Sequence, residues 1–394
     1  MPEENLESIV SDVAPVEETK KLKNIRRTFR SWKSSEPKKN LAIVGGVLIA
    51  AVLVFLGASL LTGRGGSLLS PLGDRAGGLL GGVQNPLTGE MVSGKSAEAW
   101  KDVRPLAVMV NNHTDARPQS GLIYADLVYE IVAEGGITRL LPFYLSNIPE
   151  KIGPVRSTRE YYLVLVKELG DAMLMHIGWS PQALEAIETW PVRSLGRGGG
   201  QFWRDTSLNV ATEHTAYVNG KDLLQLAMDL GWGGTREFRL WEFKNDKTGY
   251  DSAPAATNVS IDFWSKGDYS AVFKYDAGSN SYLRYLGYDA SDQPISHIDR
   301  ETKEQIKVKN LVVQFVPENA IAGDDKNRLN YEFVGAGTAL VFLDGKIIKA
   351  TWTKDSRDDR TIFYDGNGQE ITFNRGKIWV SVVPDRNVDQ VVYN

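Results

Sequence analysis

Cysteine is absent from all 394 residues. Its absence excludes disulfides, thiolate nucleophiles, cysteine-ligated zinc and any lipid attached through a cysteine, so a folded part must hold together by its core alone. Histidine is scarce. The four are His113, His176, His214 and His297, too few for a histidine-rich metal site. A strong charge imbalance is missing too. With 45 Lys and Arg against 49 Asp and Glu, the net charge is −4, which gives non-specific nucleic-acid binding no global support. No nucleic-acid partner is expected.

What is present is an ordinary globular composition, 42% hydrophobic and 24% charged, over a length that admits two domains. Ten Trp, fifteen Tyr and thirteen Phe suit a packed core or a surface that stacks on rings, with packing the default use.

The N-terminal region divides into zones of different physics. Residues 1–19 hold six acidic residues and no basic one, and read as disordered. Nine Lys and Arg follow between Lys20 and Lys39, so residues 1–40 read as an acidic, then basic, tail. Leu41 to Thr62 then runs 22 residues without a charge. As a helix it spans about 33 Å, which matches a hydrocarbon core of roughly 30 Å. A signal peptide would have a shorter apolar region and a shorter lead, so the pattern predicts an uncleaved transmembrane helix over 41–62. The basic flank predicts a cytoplasmic N-terminus and an extracytoplasmic remainder, with the Lys/Arg strip against anionic headgroups.

Residues 63–99 are rich in Gly, Ser and Pro and read as a flexible linker. Gly89 to Ser96, GEMVSGKS, fits the spacing of a phosphate-binding loop. Turn-forming residues precede it where a buried strand is needed, so a nucleotide site is not expected.

Beyond Arg104 the texture becomes globular. RPLAVMVNN, TRLLPFYLS and DAMLMHIGW read as strands, and YADLVYEIVAEGG as strand or helix. STREYYLVLVKELG reads as a helix capped by Ser157 or Thr158. SPQALEAIETW reads as a helix with Ser180 as cap and Pro181 in the first turn, and GKDLLQLAMDLGW as a third helix. After about residue 250, short alternating strands separated by turns such as LDGK and NRGK predict mostly antiparallel β. The expected fold is α+β: an α/β-type layer over 100–248 merging into a β-rich part over 249–394. The two textures need not be separate domains.

The stretches VMVNNHTDARPQSGLIYADLVYEIVAEGGITRLLPFYL, IGPVRSTREYY, HIGWSP and FWRD resemble the YerB-like family, also called DUF3048. GTALVFLDGKIIKATWTK and TIFYDGNGQEITFNRGKIWVSVVP look like that family's C-terminal part, so the resemblance covers about residues 104–385. It implies an exported, membrane-attached bacterial protein and no particular activity. Family members named as lipoproteins attach through a lipidated cysteine. This chain has none, and the apolar stretch 41–62 takes that place.

Four arginines, Arg117, Arg139, Arg156 and Arg159, fall in loops or at element ends, and IGPVRSTRE sets Arg156 and Arg159 on either side of a helix start. Guanidinium forks beside outward-pointing N–H groups suit an anion. The alternative is ion pairs with Asp126, Glu130, Glu134 or Glu160. Asn111 and Asn112 lead from a strand into a loop beside His113. His113 or His214 could serve as a general base, whereas His176, in an apolar run, reads as a core histidine. Asp205, or the set Asp126, Glu130 and Glu134, could hold a divalent cation, although surface or ion-paired carboxylates are the default; no other cofactor is evident. SRDDR, Ser356 to Arg360, reads as a solvated hairpin turn.

Two functions are expected to compete. One is a binding or scaffold module recognising an anionic envelope polymer or an envelope protein. The other is a metal-assisted envelope enzyme acting on a phosphorylated, lipid-linked or wall-polymer substrate. For the second, the layout is similar, by analogy alone, to the LytR-CpsA-Psr phosphotransferases, with Asp126, Arg139, Arg156 and Arg159 cradling a pyrophosphate.

Overall fold

The computed structural model describes residues 82–197 and 200–394. The predicted tail, the apolar stretch 41–62 and the first part of the linker lie outside them. Among the described residues no helix is long and apolar enough to cross a membrane.

The first half of the chain supplies strands β1 (Leu106–Val108), β2 (Val110–Asn111), β3 (Leu127–Val132), β4 (Thr138–Tyr144) and β5 (Met173–Met175). Its helices are α1 (Glu160–Glu168), α2 (Pro181–Thr189) and α3 (Gly220–Asp229). The second half supplies β6 (Asn258–Ile261), β7 (Ala271–Asp276), β8 (Ser281–Tyr288), β9 (Pro294–Ser296), β10 (Lys307–Val308) and β11 (Asn310–Val316). It continues with β12 (Gly335–Leu343), β13 (Lys346–Lys354), β14 (Ile362–Tyr364), β15 (Ile378–Pro384) and β16 (Val391–Tyr393).

Ten strands form a central sheet in the order β14-β13-β12-β11-β15-β3-β4-β1-β5, with β2 also paired to β4. At its middle, β11, β15 and β3 run parallel, and β12–β14 and β4 extend it antiparallel. Every residue of β3, β11 and β15 is buried, as expected for strands covered on both faces. Because β3 belongs to the first half and β15 to the second, one sheet runs through both, and the described residues belong to one compact unit.

Strand alternation sorts the side chains into two cores. Met109, Tyr129, Ile131, Leu141 and Phe143 pack with Tyr161, Tyr162 and Leu165 of α1 and with Ala183 and Ile187 of α2. On the other face Val108, Val110, Val128, Val132 and Leu140 pack with Val259, Ile261, Phe273 and Tyr282 of a second, antiparallel sheet. That sheet has the order β9-β8-β7-β6-β16, with β10 on β8. The fold is thus α+β, with few helices and a mostly antiparallel second half.

Local signals explain the matches and the differences. Ser180 caps α2, its side chain accepting from the Ala183 N–H, with Pro181 in the first turn. Helix α1 begins later than its cap signal predicts. Thr158 is held extended by a bridge to Trp179, so Arg159 occupies the cap position without a side-chain capping bond. The stretch expected to be linker is also partly built. Gly82–Gln84 pairs with Met91–Ser93, and Leu87 and Ala97 are fully buried. The loop-like GKS becomes the four-residue helix Gly94–Ala97 capped by Ser93, which is no phosphate cradle. SRDDR is not simply solvated: Arg360 is buried against Glu168.

Candidate functional site

Strand β2 ends at Asn111, and successive residues point to opposite faces, so Asn111 and Asn112 enter different surroundings. The Asn111 Oδ1 accepts from the His113 N–H at 2.9 Å, which fixes the amide and turns Nδ2 toward Nδ1 of His214 at 2.7 Å. His214 arrives from a separate 3-10 turn, Thr212–His214. His113 precedes the turn Thr114–Ala116, and its Nδ1 accepts from the Asp115 N–H at 3.2 Å. The two rings stack with centroids 4.5 Å apart.

This geometry sets the tautomers. Each Nδ1 faces an N–H donor and must offer its lone pair, so the neutral ring carries its proton on Nε2. Burial, His113 and Arg156 all push the His214 pKa below its ordinary value, favouring the neutral form. Arg156 is therefore close enough to act on His214, and its side chain has no hydrogen-bond or ion-pair partner among the described residues.

Ligand atoms of His113, Asp115 and His214 lie within 4.8 Å of one another, the spacing of a metal site. The hydrogen bonds oppose that use. A metal on Nε2 needs the proton on Nδ1, where a metal-binding histidine usually donates to an oxygen. Here both Nδ1 atoms meet donors.

Asn112 enters a buried network between the two sheets. Its Nδ2 donates to Thr138 Oγ1 at 2.7 Å, and its Oδ1 accepts from Gln119 Nε2 at 2.8 Å and Arg117 Nε at 3.2 Å. Gln119 Oε1 faces His297 Nε2 at 2.9 Å, and His297 Nδ1 faces Arg284. Arg284 donates to both oxygens of Glu130 at 2.8 Å, and Trp379 Nε1 donates to Oε2 at 3.1 Å. Glu130, Arg284 and His297 are fully buried. Burial, then Arg284 and Arg117, hold the His297 pKa well below its ordinary value.

The four predicted arginines do not converge. Arg139 and Arg159, both buried, share Glu134: Arg139 donates to Oε2 at 2.8 Å and Arg159 to Oε1. Burial works to raise the Glu134 pKa, but the two arginines outweigh it and hold the carboxyl low. Arg117 donates Nε to the Asn112 carbonyl at 3.1 Å and Nη1 to the Asp268 carbonyl at 2.7 Å. Of the four, Arg156 is the one whose charge acts on His214.

The carboxylates also separate. Asp126 accepts from the Leu145 and Ser146 N–H groups at 2.6 and 2.8 Å, Glu130 pairs with Arg284, and Glu134 with two arginines. Asp205 bonds Ser207 and pairs with Lys151 at 3.3 Å. His176 is a core histidine, with Nδ1 near the Gly178 carbonyl and Nε2 near Ser194 Oγ. Sequence reasoning missed Asp115 and the partners Arg284 and His297, which sit in an ordinary-looking alternating segment.

Residues 87–233 match the family described as "Protein of unknown function (DUF3048) N-terminal domain", and residues 259–380 match its C-terminal domain. The chain belongs to the DUF3048 family. A relative from Bacillus subtilis (strain 168), described as "Putative lipoprotein YerB", is 34% identical over 310 residues, 77% of this chain and 87% of that protein. The crystal structure of YerB protein from Bacillus subtilis superposes with a TM-score of 0.66 at 29% identity, covering 79% of this chain and 99% of that one. The DUF3048 assignment agrees with the resemblance carried by the motifs around Asn111, Arg156 and Trp179.

Proposed function

We propose that the folded unit is an extracytoplasmic, membrane-tethered binding module of the cell envelope that recognises an anionic ligand through His113, His214 and Arg156. The observation that carries this reading is the imposed tautomer: two stacked rings offer Nε2–H donors, beside a guanidinium with no partner among the described residues. Two N–H donors and a guanidinium outnumber the one close carboxylate, Asp115 at 3.7 Å from His113 Nδ1, and suit phosphate or carboxylate oxygens. Arg139 and Arg159 stay structural, since Glu134 already occupies them.

Isothermal titration of the full-length chain with inorganic phosphate tests the site. Arg156→Gln and His214→Phe should each weaken binding about tenfold or more, near 1.4 kcal/mol. Phosphate binding unchanged in both variants, or none at millimolar concentration in the parent, would sink the reading.

Attachment to the envelope is supported by the lipoprotein description of the relative and by the uncharged stretch 41–62 with its basic flank. A C-terminal alkaline phosphatase fusion, active only outside the cytoplasm, should be active. An inactive but stably expressed fusion would place the folded unit inside.

A metal-assisted enzyme is the second reading, favoured by the closeness of His113, Asp115 and His214. It requires the imidazole protons to move to Nδ1 for a metal on Nε2, or the N–H donors of Asn111 and Asp115 to give way for a metal on Nδ1. Zinc that binds tightly to the parent and not to His113→Phe would favour it over the anion site.

A further inference from the structure

A cavity of about 350 Å³ opens between the loop Thr114–Pro118 and the second sheet. That is within the range of about 300–1,000 Å³ typical of small-molecule sites. Pro118, Leu286, Tyr288, Ile295 and Ile298 give it largely apolar walls, and Ile295 remains 48% exposed. Arg117 lines the same cavity. Its guanidinium is held by carbonyl and amide oxygens, by Asn112 and Asp268, and lies 5.3 Å from the Tyr269 ring. Its Nη2 is enclosed and has no hydrogen-bond partner. Asp268 lends its backbone carbonyl, and its carboxylate acts on Arg117 only as a weaker, more distant charge.

The buried carboxylate nearest this arginine is engaged elsewhere. Glu130 is the partner of Arg284, and His297 is kept neutral. Burial, then repulsion from Arg284, lower the Arg117 pKa to about 10 against the opposing pull of Glu130 and Asp268. A half-buried cation at the edge of an apolar cavity is satisfied by an anion with an apolar body.

We infer that this cavity binds a small amphipathic acid, its aliphatic or aromatic body between Leu286, Tyr288, Ile295 and Ile298 and its carboxylate paired with Arg117. The residues differ from those of the phosphate site, so the two proposals stand or fall separately.

Calorimetric titration of the full-length chain with octanoate, octylammonium and octanol tests it, with parent and variants in one buffer so that partition into any solubilising amphiphile cancels. Octanoate should bind, with octylammonium at least tenfold weaker. Arg117→Gln should weaken octanoate at least tenfold. Ser296→Trp, at an exposed position lining the cavity, should abolish octanoate binding and leave phosphate binding unchanged. Should Arg117→Gln fail to fold, Ser296→Trp decides. Equal binding of the acid and the amine, no octanoate binding, or octanoate bound as tightly by Ser296→Trp as by the parent overturns the inference.

Discussion

Glu168→Ala should cost about 3–5 kcal/mol of folding stability, read as a fall in the urea midpoint at neutral pH. Glu168 ends helix α1 and is fully buried, yet it faces two cations: Lys354 Nζ at 2.8 Å and Arg360 Nη1 at 2.6 Å. It also accepts from Tyr129 Oη and Thr361 Oγ1, both at 2.8 Å. Removing the carboxylate leaves both cations buried without a counter-charge, which costs more than the pair contributes over an apolar replacement.

The same cluster sets an acid limit. Burial alone would raise the Glu168 pKa, but Lys354 and Arg360 outweigh it and hold it at about 2, against an ordinary 4.5. A folded value below the unfolded one means stability that is complete above about pH 4.5 and lost as pH falls toward 2. A gap of that size corresponds to about 3 kcal/mol. The parent should therefore lose stability over that window more steeply than Glu168→Ala. Parallel pH profiles, or a cost for Glu168→Ala below about 1 kcal/mol, would refute the argument.

Arg284→Met should be similarly severe, again about 3–5 kcal/mol, because it strands Glu130 between the two sheets. The pair joins positions 154 residues apart, both fully buried, with the guanidinium centre 4.5 Å from the Trp379 ring. The informative measurement is a double-mutant cycle with Glu130→Gln. Coupling of about 2 kcal/mol or more is expected, the double variant costing less than the sum of the two singles. Additive costs would mean that Thr138, Asn112 and Trp379 satisfy Glu130 without Arg284.

How much of this was legible depends on distance along the chain. The α2 start could be read because Ser180 acts on Ala183 within one turn. Strands such as β11 and β15 could be read from short, largely apolar β-branched segments bounded by turns, although Gln314 and Ser381 interrupt them. The α1 start was misread because Thr158 is claimed by Trp179, a partner that no local pattern reveals. Of the four arginines, their placement outside helix faces was visible, but not that Glu134 would claim two of them. His113 and His214 were separate candidates until the turns at Thr114 and Thr212 stacked them.

By itself, the sequence determined the absence of thiol chemistry, the uncharged stretch 41–62, the α+β texture and the DUF3048 resemblance, because composition, period and capping act over a few residues. Only the tertiary structure decided which charges neutralise one another and which are left for a ligand. Pairing depends on distances of 3–4 Å across strands remote in the chain, and a guanidinium looks the same in sequence whether or not a carboxylate waits on the facing sheet.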